Sequence, residues 1–340
     1  MSSILRLMLR PWLVWMVVLV VLEARSQGFL FDRLTVADGL PNEEVHSLFE
    51  DRDGYIWAGT VDGLARLEGT RVRVFHHDHN DSTTLAHDQV NGIAQDASGT
   101  LWFATMDGLS KFDPVRGIFI NRRIAATGIN ARQANRMRQV VALGVSLLCL
   151  VTEAGLYRYA VHTGTFINTQ GLPAGEGPEG LIHASAALFW DGPRATLWAG
   201  TRQGLASWDA RTDHWTDHRN ATREPLISTD ETNAPVVQGD SLWFLRNKPY
   251  SLFAYDLRRE VLHPQPDLEA QPNLFTLRCQ AFDTDGRHWL STWTHRLFQH
   301  MPGEPWREVH ASRSEPGSIV SARVGAILRT RSGERWFGSD

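Results

Sequence analysis

The chain has 340 residues, 42% of them apolar, and a formal net charge of −4 at pH 7. That apolar content is ample for a large core, and the balanced, slightly acidic charge excludes a basic nucleic-acid binder.

The N-terminal segment Met1–Ser26 reads as a secretory signal peptide. Arg6 and Arg10 give a positive start, and Trp12–Leu22 is an unbroken apolar run. Ala24 and Ser26 then place small residues at the two cleavage-determining positions, so cleavage is expected after Ser26. An uncleaved anchor is disfavoured, because a spanning helix needs about 20 apolar residues. Either way the residues after 27 are expected to lie outside the cytoplasm.

From residue 28 onward the sequence repeats. One copy runs from Asp51 through Gly54 and Trp57 to Gly63, Leu64 and Leu67. The next runs from Asp96 through Gly99 and Trp102 to Gly108, Leu109 and Phe112. Further copies centre on Cys149, Trp198, Trp243, Trp289 and Trp336, so the period stays close to that between Trp57 and Trp102. The Asp-x-x-Gly segment is hairpin chemistry, with glycine supplying positive φ. Tyr55–Thr60 is short and apolar on both faces, as a doubly buried strand is. A second turn at Val61–Gly63 leads to a strand starting at Leu64, and Arg71–Phe75 completes four strands per period. Four short strands in about 46 residues predict an all-β fold, a β-propeller of about seven four-stranded blades with the last one incomplete. Blade cores are expected near residues 45–75, 90–120, 139–167, 181–216, 236–262, 276–300 and 320–340. The repeat tryptophans are expected to pack blades together. Cys149 and Cys279 lie too far apart in such a ring to bridge, and are read as buried apolar residues.

Gly39-Leu-Pro-Asn-Glu-Glu-Val45, with Asp51–Thr60 and Asp62-Gly-Leu64, resembles the two-component regulator propeller repeat. The resemblance covers most of residues 28–340 and is sharpest around Trp57, Trp102 and Trp198. It implies the periplasmic sensor region of a bacterial membrane receptor. It also implies a partner architecture of a second stacked propeller, an immunoglobulin-like module, a membrane helix and a cytoplasmic output. That output is a histidine kinase, often hybrid, or a diguanylate cyclase. The sequence ends shortly after Trp336, so the chain is read as a non-enzymatic fragment of such a receptor. Poly- or oligosaccharide fragments are the implied ligand class, and a homodimer is a further expected association. Residues 29–35 are expected to add an outer strand to the last blade and close the ring, removing exposed sheet edges.

In such a blade the first and third connections share one face of the disc, while the repetitive Asp-x-x-Gly turns lie on the other. The first face varies from copy to copy, and variable polar loops on a rigid frame are where binding resides. The candidate ligand-binding residues there are Asn42, Glu43, Asp62, His87, Asp88, Asp107, Glu153, Arg202, Gln203 and Trp293, the last suited to stacking on a sugar ring. No catalytic residue, cofactor or metal is expected. His76–His79 is read as a solvated outer strand, because structural zinc wants cysteine or more converging ligands. Glu43 and Glu44 point to opposite sides if extended and make no acid–base pair. Two other classes remain open: a propeller-fold lyase or glycosidase, for which no converging catalytic set is visible, and a protein-interaction scaffold.

Overall fold

Each period opens with a segment that becomes the first strand of an antiparallel sheet. A computed structural model describes residues 31–126, 130–168, 188–201, 204–218, 232–247, 250–264, 277–312, 314, 317–319 and 321–339. The proposed signal peptide, Arg202 and Gln203 lie outside the described residues.

Blade 1 holds β1 (Val45–Glu50), β2 (Ile56–Thr60), β3 (Gly63–Glu68) and β4 (Arg71–Phe75). Blade 2 holds β5 (Val90–Gln95), β6 (Leu101–Thr105), β7 (Gly108–Asp113) and β8 (Ile118–Arg122). A short helix, α1 (Asn130–Asn135), follows, tied back where the Asn135 side chain exchanges hydrogen bonds with the Ile124 backbone. Blade 3 holds β9 (Met137–Leu143), β10 (Leu147–Thr152), β11 (Gly155–Ala160) and β12 (Thr165–Asn168). Blade 4 holds β13 (Leu188–Asp191), β14 (Thr196–Thr201), β15 (Gly204–Asp209) and β16 (His214–Asp217). Blade 5 holds β17 (Thr232–Gln238), β18 (Ser241–Asn247), β19 (Tyr250–Asp256) and β20 (Val261–Pro264). Blade 6 holds β21 (Leu277–Phe282), β22 (His288–Thr292), β23 (Leu297–His300) and β24 (Arg307–Val309). Last come β25 (Val324–Arg329) and β26 (Arg335–Ser339), which among the described residues pair only with each other.

Within each blade the strands pair in chain order, all antiparallel. The first strands β1, β5, β9, β13, β17, β21 and β25 pack in sequence and return to β1, so they line the centre of a closed ring. The expectation of about seven four-stranded blades is therefore corrected: among the described residues six are present, and the remaining place holds a two-stranded sheet, incomplete as expected. At that place residues 324–339 form one hairpin, which meets blade 6 on one side and blade 1 on the other. Residues 31–35 do not form the expected outer strand. Phe31 instead donates its N–H to Gly317 O at 2.8 Å and meets Phe337 edge-on at 5.6 Å. His76 and His77 likewise leave β4 and run into a loop rather than continuing a strand.

Strands β2, β6 and β22 are buried at every position, because blades cover both faces. Gly59 shows how close that approach is. A Cβ there would lie 2.4 Å from Ser47 Oγ and 2.6 Å from the Val90 carbonyl of the next blade. The repeat leucines Leu64, Leu109, Leu156, Leu205, Leu252 and Leu297 are all buried. Three repeat tryptophans reach toward the following blade. Trp57 packs on Phe103 at 5.3 Å, Trp102 on Tyr159 at 5.5 Å, and Trp289 on Phe337 at 5.1 Å.

The same three indoles are locked from below. Trp57 Nε1 donates to Asp51 Oδ2 at 2.7 Å, Trp102 Nε1 to Asp96 Oδ2 at 2.9 Å, and Trp289 Nε1 to Asp283 Oδ2 at 2.9 Å. The other oxygen of Asp51 accepts the Asp53 and Tyr55 N–H groups, both at 3.0 Å, and so shapes the hairpin turn. Asp96 repeats the arrangement with Ser98 and Thr100. Gly54 and Gly99 close these turns at φ 87° and 93°.

Ring closure rests on Arg331, at the β25–β26 turn. Its guanidinium meets Glu50 at 3.2 Å and donates to the Arg52 carbonyl at 3.1 Å and to the Asp51 carbonyl. Leu328 and Trp336 pack against Val45, Ile56 and Ala58 of blade 1. Both cysteines are free and buried, with desolvation pushing the thiols up to about 12 (Cys149) and about 11 (Cys279).

Where the aspartate is missing or holds another partner, the indole is stranded: in blade 4 Asp191, one residue further from its tryptophan, accepts instead from Arg194 at 2.9 Å. Trp198 and Trp336 have buried Nε1 atoms with no hydrogen-bond partner. In the copy around Trp336, Thr330 occupies the aspartate position. Its Oγ1 already accepts the Glu334 N–H at 2.9 Å as Asp51 accepts Tyr55. Thr330→Asp is expected to supply the missing acceptor and raise stability by about 1 kcal/mol, read as a higher urea midpoint at unchanged slope. The converse change, Asp96→Ala, is expected to cost about 2 kcal/mol in the same assay.

Candidate functional site

The turns between the second and third strands are clamped by one residue, a threonine ending the second strand. Thr60 Oγ1 donates to the Gly63 carbonyl at 2.8 Å and accepts the Asp62 N–H at 3.1 Å. Thr105 does the same with Gly108 and Asp107, and Thr152 with Gly155 and Ala154. Thr201 bonds the Gly204 carbonyl at 2.8 Å. The frame is therefore constant, while the two residues at the tip change: Val61–Asp62, Met106–Asp107, Glu153–Ala154. In blade 6 the turn is longer, with Thr292 accepting from Arg296 N–H at 3.1 Å, and it carries Trp293, Thr294 and His295.

The expected residues of blades 1–3 form an arc. Asp62 and Asp88 converge with His76, one donor atom from each lying within 4.8 Å of the others. His87 follows, its Nδ1 accepting the Gln89 N–H at 2.9 Å. Burial lowers the His87 pKa, although the Asp88 and Asp107 carboxylates act the other way. Asp107 pairs with Arg123 at 2.5 Å. Glu153 holds Arg136 at 3.0 Å and Arg138 at 2.5 Å. Burial raises the Glu153 pKa, but the hydrogen bonds from the two guanidinium groups outweigh it and keep the carboxyl below its ordinary range.

Asn42 and Glu43 play local roles. Asn42 Oδ1 accepts the Glu44 N–H at 2.8 Å, and Glu43 lies 3.7 Å from Arg33.

Sequence reading missed the residues at the start of the first strands. His46 Nδ1 lies 2.8 Å from Asn91 Oδ1, its Nε2 lies 3.0 Å from Glu44, and Asn91 donates to the Met137 carbonyl at 2.8 Å. This belt crosses blades 1, 2 and 3. A signal existed: His46, Asn91, Arg138 and Arg278 all stand at one fixed offset ahead of the Trp position of their blade. A polar residue in that register faces neighbouring first strands rather than the apolar interior of its own blade.

Trp293 belongs to blade 6. It is 54% exposed, and the Arg278 guanidinium lies 4.5 Å from its ring centroid. Room for Arg278 comes from Gly325 on β25, where a Cβ would sit 2.7 Å from Arg278 Nη2. A cation held against an aromatic ring beside the channel makes a platform with an apolar face and a charged edge.

Comparison with known proteins follows the repeat. Residues 39–62 and 84–107 match the two component regulator propeller family, so the chain carries repeats of that type. A 65-residue stretch, 19% of this chain, is 32% identical to histidine kinase P4 of Formosa agariphila and covers 5% of that protein. Among solved structures, one similar fold is the extracellular domain assigned to a hybrid two component system of B. thetaiotaomicron, with TM-score 0.69 and 17% identity. It covers 92% of this chain and 40% of that one. The extracellular domain assigned to a one component system of the same organism gives TM-score 0.70 and 16% identity, with coverages of 92% and 39%. Virginiamycin B lyase from Staphylococcus aureus gives TM-score 0.61 and 12% identity, covering 88% and 93%. The chain thus spans about two fifths of the length of the extracellular domains it matches. At these identities the solved structures establish the β-propeller fold.

The Glu153 arrangement has a pH consequence. Its folded pKa lies below the usual 4.5, so its stabilising pairing is complete above that value and is lost as pH falls through the folded pKa. Glu153→Gln is expected to be less stable than the parent at pH 7, with the gap shrinking as pH drops below 4.5. Urea denaturation across that window measures it.

Proposed function

We propose that this chain is the periplasmic ligand-sensing propeller of a membrane signalling receptor, and that it binds an oligosaccharide on the face carrying the clamped turns. The observation that carries this reading is Trp293. It is a large aromatic more than half open to solvent, on a turn longer than its counterparts and backed by Arg278, and so presents a free stacking face. Sugar rings stack on such faces through their C–H groups, while an arginine edge donates hydrogen bonds to hydroxyls or a carboxylate.

Support for a sensing role comes from the repeat type and from the named roles of the similar extracellular domains. Among the described residues no helix is long and apolar enough to cross a membrane, so signal transfer to the cytoplasm rests on segments outside them. Export through residues 1–26, relay through a second propeller or a membrane-linked output domain, and homodimerisation belong to the same proposal. In this reading the domain acts by binding and performs no catalysis.

The test is a melting-temperature screen of the protein against a panel of neutral and acidic oligosaccharides. A member of the panel is expected to raise Tm in a concentration-dependent way. Trp293→Ala is expected to weaken that ligand at least about tenfold while leaving the unliganded Tm nearly unchanged, because the side chain is exposed. If no sugar shifts Tm while a protein partner does, the scaffold reading replaces this one.

A further inference from the structure

We propose that Asp62, His76 and Asp88 form a binding site for a divalent transition-metal ion on blade 1. The three come from separate segments: the β2–β3 turn, the exit of β4 and the link to blade 2. Each offers one donor atom within 4.8 Å of the other two. His76 Nδ1 and Asp88 Oδ1 already stand 3.4 Å apart. Two ligands of a tetrahedral zinc ion, each at about 2.0–2.2 Å, lie about 3.3–3.6 Å from one another.

The backbone holds this geometry. Asp88 is fixed twice, its carbonyl accepting the Gly63 N–H at 2.8 Å and its Oδ1 accepting the His77 N–H at 2.7 Å. The His76 ring lies so close over Gly63 that a Cβ there would be 3.0 Å from Nδ1. Only a glycine at that turn lets the imidazole rest against it.

The neighbouring blade supplies an independent comparison. In blade 2 the position after β8 is Arg123, and its guanidinium pairs with Asp107 at 2.5 Å, the counterpart of Asp62. There the cation is built into the chain. In blade 1 the same position is His76, and a second carboxylate, Asp88, has been added. Among the described residues, no lysine or arginine lies within 4.0 Å of the Asp62 or Asp88 carboxylate. Two carboxylates and one imidazole therefore stand where the sister blade uses a fixed positive charge. A dication restores the balance that Arg123 provides in blade 2.

The donor set selects the ion. One imidazole with two carboxylates suits Zn²⁺ and its neighbours in the first transition row, whereas Ca²⁺ and Mg²⁺ prefer all-oxygen shells. Three protein ligands leave coordination positions open to solvent, as in sites that bind a further ligand. This inference departs from the expectation of no metal, because Asp62 and Asp88 join His76 only in the folded chain. It does not depend on the sugar-binding reading.

The experiment uses the chain after chelator treatment, dialysed against micromolar Zn²⁺ and, separately, Co²⁺. One ion per chain is expected, with visible d–d absorption for Co²⁺. His76→Ala, Asp62→Asn and Asp88→Asn are each expected to weaken binding at least about tenfold. Melting of the metal-free variants checks that they fold, and Asp62→Asn alters an exposed side chain that makes no packing contact with the core. The pair His77 and His79, whose ring nitrogens lie 3.1 Å apart, is the rival chelator, so His79→Ala serves as the control and is expected to bind normally. Absence of stoichiometric binding, binding that survives His76→Ala, or binding lost in His79→Ala overturns the proposal.

Discussion

An indole N–H buried between two sheets must find an acceptor, and here the acceptor comes from the turn that precedes the indole's own strand. Asp51 and Asp96 each use one oxygen for the turn and one for the tryptophan of the following strand, and Asp283 bonds Trp289 in the same way. The bond couples two things that would otherwise vary independently: the conformation of the hairpin and the depth of the tryptophan in the interface. Because each of these tryptophans then packs on the next blade, a local turn sets an inter-blade distance. Buried polar groups cost most when left unpaired, and Trp198 and Trp336, whose buried Nε1 atoms have no hydrogen-bond partner, carry that cost.

The ring closes with less material than its other joints. Blade 6 passes its tryptophan contact to Phe337 of the two-stranded sheet, and that sheet passes Leu328 and Trp336 to blade 1. Gly338 permits the approach, since a Cβ there would lie 2.7 Å from Val45 Cγ1. Arg331 adds a polar latch onto Glu50 and the Asp51 and Arg52 carbonyls. The two-stranded sheet is thus a wedge that completes the inner circle of first strands without completing a blade.

Frame and tip separate cleanly on the clamped face. Threonine hydroxyls hold the turns of blades 1–3 in one shape, so changes at the tips leave the frame untouched. The tips then differ in how they manage charge. Asp107 is neutralised by Arg123, Glu153 by Arg136 and Arg138, and Asp62 faces a histidine and another aspartate. Blade 6 abandons charge at its tip for an exposed indole.

The sequence by itself determined the repeat, the propeller class, the doubly buried central strands and the face on which the variable turns lie. These are properties of short-range patterning: a glycine where φ must be positive, a run of apolar residues where both faces are covered, a tryptophan returning at a near-constant interval. It did not determine that residues 31–35 would pack by Phe31 rather than by strand pairing, or that His76 would leave the sheet. Nor did it show that Asp62, His76 and Asp88, which lie on three separate segments of the chain, would meet. The repeat pattern records what each residue does within its own blade. Contacts between a turn, the exit of an outer strand and the link to the next blade depend on the angle at which blades pack, and that angle is set by the ring as a whole. The Trp register that reveals the scaffold therefore also locates the polar residues at the start of each first strand, yet only the closed ring decides which of them face one another.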